Sequence, residues 1–369
     1  MGNPDGSNWA GPQPGTVNQP LISICLPNLN GRAFLKERLE TIFAQTIKDW
    51  ELIVCDSYSV DGSWEFFQKF KDDPRVHLHQ VPREGIYPGW NECLRRANGR
   101  YVYMATSDDT MVPQCLEKLV TPLEHDPGIS VAVCDYQTID DEGHPLPMPL
   151  ENSSRGFLGE WLHRPCVRPR LSEFLLHCCF HTIWVTMTAV LFRRSLLERT
   201  GVFRTDVGVQ ADLAWALRAT LLTDIAWVPG QLATWRRHSH QATPRTWHNW
   251  EFTTDTMRIF ADLLNDPAAG LPDAWKQVRD WQDELTRVWH WEHLDSFHLD
   301  RGALRQSPGL FLKNCWAAAR HQPDLLLSQL ARGFAWRPEF SPDRFAHAQR
   351  LIRLFQTPWP PEANNVASL

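Results

Sequence analysis

Residues 101–113 read YVYMATSDDTMVP. An apolar strand here runs straight into two adjacent aspartates, Asp108 and Asp109. Neighbouring carboxylates repel unless something positive sits between or beside them. One reading is helix capping: Ser, Asp and Thr are good N-caps, and a Pro follows where a first helical turn would begin. The other is a ligand that shares the pair. These residues alone leave both readings open, so the surrounding chain has to decide.

Working outward, short apolar runs alternate with helical patterns. LISICL (21–26) is a strand, and Leu35, Leu39 and Ile42 follow on one helix face. ELIVC (51–55) is a second strand, with Trp64, Phe67 and Phe70 at helical spacing after it. VHLH (76–79) is a third strand, and a helix from about Gly89 to Ala97 leads back to 101–105. A helix from about Pro113 and the strand ISVAVC (129–134) come next. Residues 137–180 are rich in Pro, Arg and His and read as loops with one helix around Leu171–Cys178. Beyond them lie a long strand over 183–192, a helix from Arg193 that stops at Gly201, a helix over 211–222 and a strand over 225–228. Such alternation implies an α/β fold, with a mostly parallel sheet covered by helices on both faces. From about Thr246 the pattern is helical only, with stripes at Trp275, Val278, Leu285, Val288 and at Phe345, Ala348, Ile352, Phe355.

Composition narrows the classes. The 43% hydrophobic and 22% charged content suits a globular protein. A net charge of −6 argues against a general nucleic-acid binder. The nine cysteines are odd in number and form no CxxC pair, and Cys25, Cys55 and Cys134 lie in strand-like runs. Buried reduced thiols and a cytoplasmic location are the expectation, without a zinc site. No apolar run reaches 18 residues, so no membrane span is expected. Residues 1–19 lack a signal-peptide pattern and read as a flexible tail.

In a parallel sheet, ligands bind outside the carboxyl ends of the strands. The loops there are PNLNGR (27–32), DSYSVDGS (56–63), VPREGIYPGWN (81–91) and TSDDT (106–110). Each is explicable as turn chemistry. Turn chemistry explains less well why carboxylates recur in them. Together Asp56, Asp61, Asp108 and Asp109 form an acidic edge that calls for a cation or for ligand donors.

Here the residues resemble a known family. SICLPNLNGRAFLKERLETIFAQTIKDWELIVCDSYSVDGS, EGIYPGWNECLRRANGRYVYMATSDD and GVFRTDVGVQADLAWALR resemble, in order and spacing, the three blocks of a family 2 glycosyltransferase of the GT-A fold, a Rossmann-like architecture. The likeness covers about 20–245, and 246–369 form a C-terminal helical region outside it. Two departures stand out: Thr106 occupies the place where the metal motif often has its first Asp, and QAD replaces an acidic pair before the helix, so that only Asp212 remains.

The resemblance implies an inverting transfer of a sugar from a nucleotide-sugar donor, a UDP-sugar in the first place, to an acceptor hydroxyl. The acceptor would be a carbohydrate or glycolipid, in polysaccharide, lipopolysaccharide or glycolipid assembly. A divalent cation, Mn2+ or Mg2+, would stabilise the leaving diphosphate, held by Asp108 and Asp109, with His238 a further candidate ligand. Asp212 would be the base. Asp56 would accept from the uracil ring N–H, with Pro27, Asn28 and Asn30 lining the same pocket. Arg83, Gly85, Asn91, Ser107 and Asp108 complete the candidate donor contacts, while Asp61 orders its own turn through Gly62 and Ser63. Two rivals stand beside this reading. A nucleotidyltransferase needs a Gly-rich basic phosphate loop after the first strand, which PNLNGR is not. A non-catalytic nucleotide-sugar-binding protein would lack the acidic pair or the base. The Trp-rich C-terminal helices read as a core packed on the catalytic domain. The rival there is an amphipathic surface in peripheral contact with the inner face of the cell membrane or with a lipid-linked acceptor.

Overall fold

Strand β1 (Ile22–Asn28) shows how the sequence pattern becomes layers. Ile22, Ile24 and Leu26 enter one core and Cys25 the other. In β4 (Tyr101–Met104), Tyr101 and Tyr103 likewise part from Val102 and Met104. Successive strand side chains point to opposite faces, so a strand covered on both sides reads as an unbroken apolar run. The computed structural model describes residues 19–148 and 153–239. Of the C-terminal region it describes 250–265, 278, 280–281, 285, 304–305, 307–321, 326–327, 330 and 344–359.

Six further strands join β1 and β4: β2 (Trp50–Asp56), β3 (Val76–Gln80), β5 (Val131–Ile139), β6 (Cys166–Arg168), β7 (Val190–Arg193) and β8 (Ile225–Arg236). The sheet order is β3-β2-β1-β4-β7-β5-β8-β6. β1 to β4 pair in parallel, as do β5 and β8. β7 runs against both its neighbours, and β6 against β8. On one face lie α1 (Arg32–Phe43), through Leu35, Leu39 and Ile42, and α4 (Cys115–His125), through Leu116, Leu119 and Leu123. On the other lie α3 (Ile86–Arg96), α6 (Arg170–Phe180) and α8 (Ala211–Leu222), through Trp90, Leu94, Phe174 and Trp215. Short helices α2 (Ser63–Phe67), α5 (Ser154–Leu158) and α7 (Leu197–Thr200) fill connections. The mostly parallel sheet with helices on both faces is the architecture expected from the sequence.

Helices α9 (Trp250–Asn265), α10 (Pro308–His321) and α11 (Arg344–Leu354) follow. Ile259, Phe260 and Leu263 of α9 and Ala348, Leu351 and Ile352 of α11 join the same core as α6 and α8. Phe345 and Phe355 belong to it as well, which accounts for the second sequence stripe. In the first stripe Val278 and Leu285 are buried there, whereas Trp275 and Val288 lie outside the described residues. The expected boundary at 245/246 and nearly all of the expected tail also lie outside them. All nine cysteines are free, eight of them buried, in line with reduced core thiols.

Four strands differ from the sequence reading: β6 lies in a stretch read as loops, β5 runs on to Ile139, and two further differences build the site. The expected strand over 183–192 is a strand only at Val190–Arg193, because the segment before it bends to bring Thr186 and Thr188 onto one carboxylate. The expected strand over 225–228 runs on to Arg236. Pro229 and Gly230 read as a stop, yet they form a bulge: Cys134 pairs with Val228, Asp135 with Gln231 and Tyr136 with Ala233. Gly230 takes φ 101, and the missing N–H of Pro229 falls where the ladder is already broken.

Candidate active site

The turns after β1 and β2 are laced together by side chains. Asn28 and Asp56 end their strands as register partners. Asn28 Nδ2 donates to Asp56 Oδ1 at 2.7 Å. Ser59 donates through its N–H to Asp56 Oδ2 at 2.9 Å and through its hydroxyl to Asp56 Oδ1 at 2.6 Å. Asn30, exposed at φ 54, donates its N–H to Ser59 Oγ at 2.8 Å and accepts from the Val60 N–H at 2.9 Å. Asp61 accepts from the Arg32 N–H at 2.9 Å and from Ser63, so it orders its turn as expected. Asp56 has no exposed surface. Its carboxylate is the buried knot to which Asn28 and Ser59 are tied.

The β4 loop closes on this knot. Ser107 Oγ lies 3.0 Å from both the Pro27 carbonyl and Asn28 Oδ1. Gly31 makes the approach possible, since a Cβ there would meet Asn28 Oδ1 at 2.5 Å and Ser107 Cβ at 2.9 Å. Half-buried Pro27, buried Asn28, exposed Asn30, Asp56 and Ser107 are thus brought together at the carboxyl ends of β1, β2 and β4.

The two adjacent aspartates have opposite fates. Asp109 is 2% exposed, which corrects its placement as a surface metal ligand. Its Oδ2 accepts from the hydroxyls of Thr106 at 2.7 Å, Thr186 at 2.9 Å and Thr188 at 3.2 Å. Its Oδ1 accepts the Arg236 N–H at 2.7 Å. Burial, and next the neighbouring charge of Asp108, push its carboxyl up to about 6. Asp108 faces outward, and its Oδ2 lies 2.9 Å from His238 Nε2. Neither aspartate caps α4, whose N-cap is Gln114. The capping reading is therefore excluded.

Arg236 holds this loop from behind. It is 1% exposed, and its Nε donates to the Asp108 carbonyl at 2.7 Å. Its terminal nitrogens donate to the carbonyls of Asp140 and Asp141 at 3.1 Å and to Glu37 at 2.6 Å. Phe34 lies under its guanidinium at 5.1 Å and beside the His238 ring at 4.9 Å. Among the described residues no three His, Cys, Asp or Glu side chains gather as a metal set. A cation here would find one carboxylate oxygen and one imidazole nitrogen, with the rest of its shell left to substrate oxygens and water. That donor pair fits a divalent ion completed by diphosphate.

Asp212 stands in the first turn of α8, two residues past the N-cap Gln210, and its Oδ1 accepts the Leu213 N–H at 2.7 Å. Burial pushes its carboxyl up to about 6. The opposing helix-terminus effect, ~0.3–1 kcal/mol, is the smaller one. Tyr87 of α3 is beside it, and its hydroxyl donates to the Val209 carbonyl at 2.9 Å. The turn after β3 is thereby fixed to the start of α8. Gly85, at φ 124, opens α3. Arg83 next to it is exposed and makes no hydrogen bond or ion pair among the described residues. Asn91 is placed elsewhere. It is buried in mid-helix, and its side chain brackets Phe203 by donating to the carbonyl at 2.8 Å and accepting the N–H at 3.1 Å. It is neither a donor contact nor a cap in this arrangement.

Sequence reading missed Arg236, Glu37, Thr186, Thr188 and Ser59. Thr186 and Thr188 left a trace, since polar side chains at alternate positions of VTMT broke an otherwise apolar run. Glu37 left none.

Comparison with known proteins bears on the whole chain. Residues 23–198 match the model of Glycosyl transferase family 2. An uncharacterised protein of Mycobacterium tuberculosis is 25% identical over 269 residues, 68% of this chain and 77% of that protein. The putative teichuronic acid biosynthesis glycosyltransferase TuaG of Bacillus subtilis is 31% identical over 131 residues, 35% of this chain and 51% of that one, so the chain spans about half of that relative's length. Among solved structures, S. aureus TarS 1-349 in complex with UDP-GlcNAc superimposes with a TM-score of 0.58 at 15% identity, covering 91% of both chains. The mannosyltransferase PcManGT of Pyrobaculum calidifontis, in complex with GDP-Man and Mn2+, gives 0.52 at 20% identity, covering 92% of this chain and 88% of that one. These two likenesses speak for the GT-A fold. The chain thus has the GT-A fold, and its residues 23–198 match Glycosyl transferase family 2.

Proposed function

We propose that the chain is an inverting glycosyltransferase that moves a sugar from a nucleoside diphosphate to a hydroxyl of a carbohydrate or glycolipid acceptor. The observation that carries this reading is the Asp108–His238 pair just past the ends of β4 and β8, with the Asp108 side chain 26% exposed. Asp108 and His238 would hold a divalent cation there, with the rest of its shell left to substrate oxygens and water. When bound, Mn2+ or Mg2+ supplies Lewis-acid stabilisation of the charge that gathers on the leaving group.

The chain's own residues do the rest. Asp212, with its carboxyl near 6, is ionised at neutral pH yet basic enough to take the acceptor proton. As the acceptor oxygen bonds to the anomeric carbon, the bond to the diphosphate breaks and the proton passes to Asp212. Attack from the side opposite the leaving group inverts the anomeric centre. Uridine is the proposed nucleoside. Asp56 Oδ2 accepts one described bond, from the Ser59 N–H, and retains a lone pair for a ring N–H. Exposed Arg83 would meet the base or a phosphate, and the open backbone at Gly85 would admit close approach. The solved TarS complex with UDP-GlcNAc supports the uridine reading, and the PcManGT complex supports the metal. TuaG supports an acceptor of the cell-envelope polysaccharide class.

Calorimetric titration with UDP, CDP and GDP, with and without Mn2+, tests this reading. UDP should bind best, and at least ~10-fold more tightly with the metal, a coupling within the usual range between linked sites. Equal affinities with and without metal would remove the Asp108–His238 pair from its role. A preference for GDP would remove Asp56 from its own.

A further inference from the structure

We propose that the outer face of α10 docks on an anionic lipid bilayer. The helix buries Phe311, which is 5% exposed, and packs half-buried Cys315 against the core shared with α6 and α8. One residue on from each of these, Leu312 and Trp316 are both 64% exposed. Lys313 and Arg320 are exposed on the same side, since positions 312, 313, 316 and 320 share one face of a helix. The Arg320 guanidinium lies over the Trp316 ring at 5.5 Å. Leu304, Leu327 and Leu330, in the neighbouring described segments, are exposed as well. Single exposed apolar residues are ordinary. A Leu–Trp stripe flanked by two cations is a defined surface.

Charge decides what covers it. Between Asp300 and Asp324 the sequence holds Arg301, Arg305, Lys313 and Arg320 and no acidic residue, in a chain of net charge −6. A second copy seated on this face would turn the same patch toward Lys313 and Arg320, cationic and without a carboxylate between residues 301 and 323 to pair with them. An anionic bilayer surface suits both parts of the stripe. Trp sits at the headgroup level and Leu enters the acyl boundary, while Lys and Arg reach the lipid phosphates along their aliphatic stems. The sequence-level reading of the C-terminal tryptophans as packed core therefore does not hold for Trp316. The proposal stands apart from donor and acceptor chemistry.

Co-sedimentation of the full chain with lipid vesicles tests it. The chain should pellet with phosphatidylcholine vesicles containing roughly one third phosphatidylglycerol, stay in solution with phosphatidylcholine alone, and be released by high salt. Leu312→Ser with Trp316→Ser should lower the bound fraction at least ~10-fold, and Lys313→Glu with Arg320→Glu should do the same. Because all four side chains are exposed, melting temperature and UDP affinity should match wild type, which separates lost docking from lost folding. Three results would overturn the proposal: wild-type protein that stays in solution with anionic vesicles, variants that bind like wild type, or a wild-type dimer by light scattering that Leu312→Ser with Trp316→Ser makes monomeric.

Discussion

At the scale of single residues, the adjacent aspartates divide the labour between folding and binding. Asp108→Ala should fold normally and lose the metal-dependent part of UDP affinity, because its carboxylate meets only His238 in the described structure. Asp109→Ala should instead lower stability by about 3 kcal/mol, since three hydroxyls and the Arg236 N–H lose their acceptor in a buried place. Urea denaturation beside UDP titration distinguishes them, and identical behaviour of the two variants would contradict the division. Asp212→Asn should cut transfer by at least ~10²-fold while leaving UDP affinity unchanged. Asp212 has a folded value raised to about 6 from an unfolded value of 3.8, so the native state binds the extra proton between them. Stability from this group is present below the unfolded value and is lost as pH rises toward 6. Its removal should therefore leave the melting temperature at pH 7 unchanged or raised. The wild-type pH–rate profile should fall on the acid side with a midpoint near 6 as the base becomes protonated. A flat rate from pH 5 to 7 would assign the proton transfer to another group.

At the scale of elements, the site depends on where strands stop. β8 carries Arg236 to Asp109 only because the bulge at Pro229–Gly230 lets the strand continue, and β7 begins late because Thr186 and Thr188 are drawn to the same carboxylate. Helix α3 is anchored differently, through Asn91 and the Phe203 peptide group. Asn91→Ala leaves a buried N–H and a buried carbonyl unpaired and should cost about 2–4 kcal/mol. Donor affinity of the folded fraction should not change. If thermal melts were unaltered while UDP affinity fell, Asn91 would return to the donor pocket.

At the scale of the whole molecule, the C-terminal helices complete a core instead of standing beside it. Ile259, Phe260, Leu351 and Ile352 meet the face formed by α6 and α8. Truncation after residue 245 should expose that face, with increased binding of an apolar dye and rapid proteolysis. A truncated chain that melts cooperatively at the wild-type temperature would show that the catalytic sheet closes its core without them. No helix among the described residues is long and apolar enough to cross a membrane, so the bilayer contact proposed for α10 would lie in the interface plane.

Legible in the chain alone were the strand–helix alternation, the four loops on one sheet edge and the carboxylates in them. These are local properties: apolar period, turn residues and the gap between them report directly on backbone direction. Asp61 in its turn belongs to the same class. Which carboxylate faces solvent was not legible, because Asp108 and Asp109 are equivalent as neighbours in sequence. The difference between them comes from Thr186, Thr188 and Arg236, which approach from far along the chain and supply donors on one side only. The same holds for Asn91, whose partner is 112 positions away, and for Asp56, covered by a side chain three residues on. Sequence pattern places a polar residue at an edge. Only tertiary packing decides whether its hydrogen-bonding capacity is met by protein or left for a ligand.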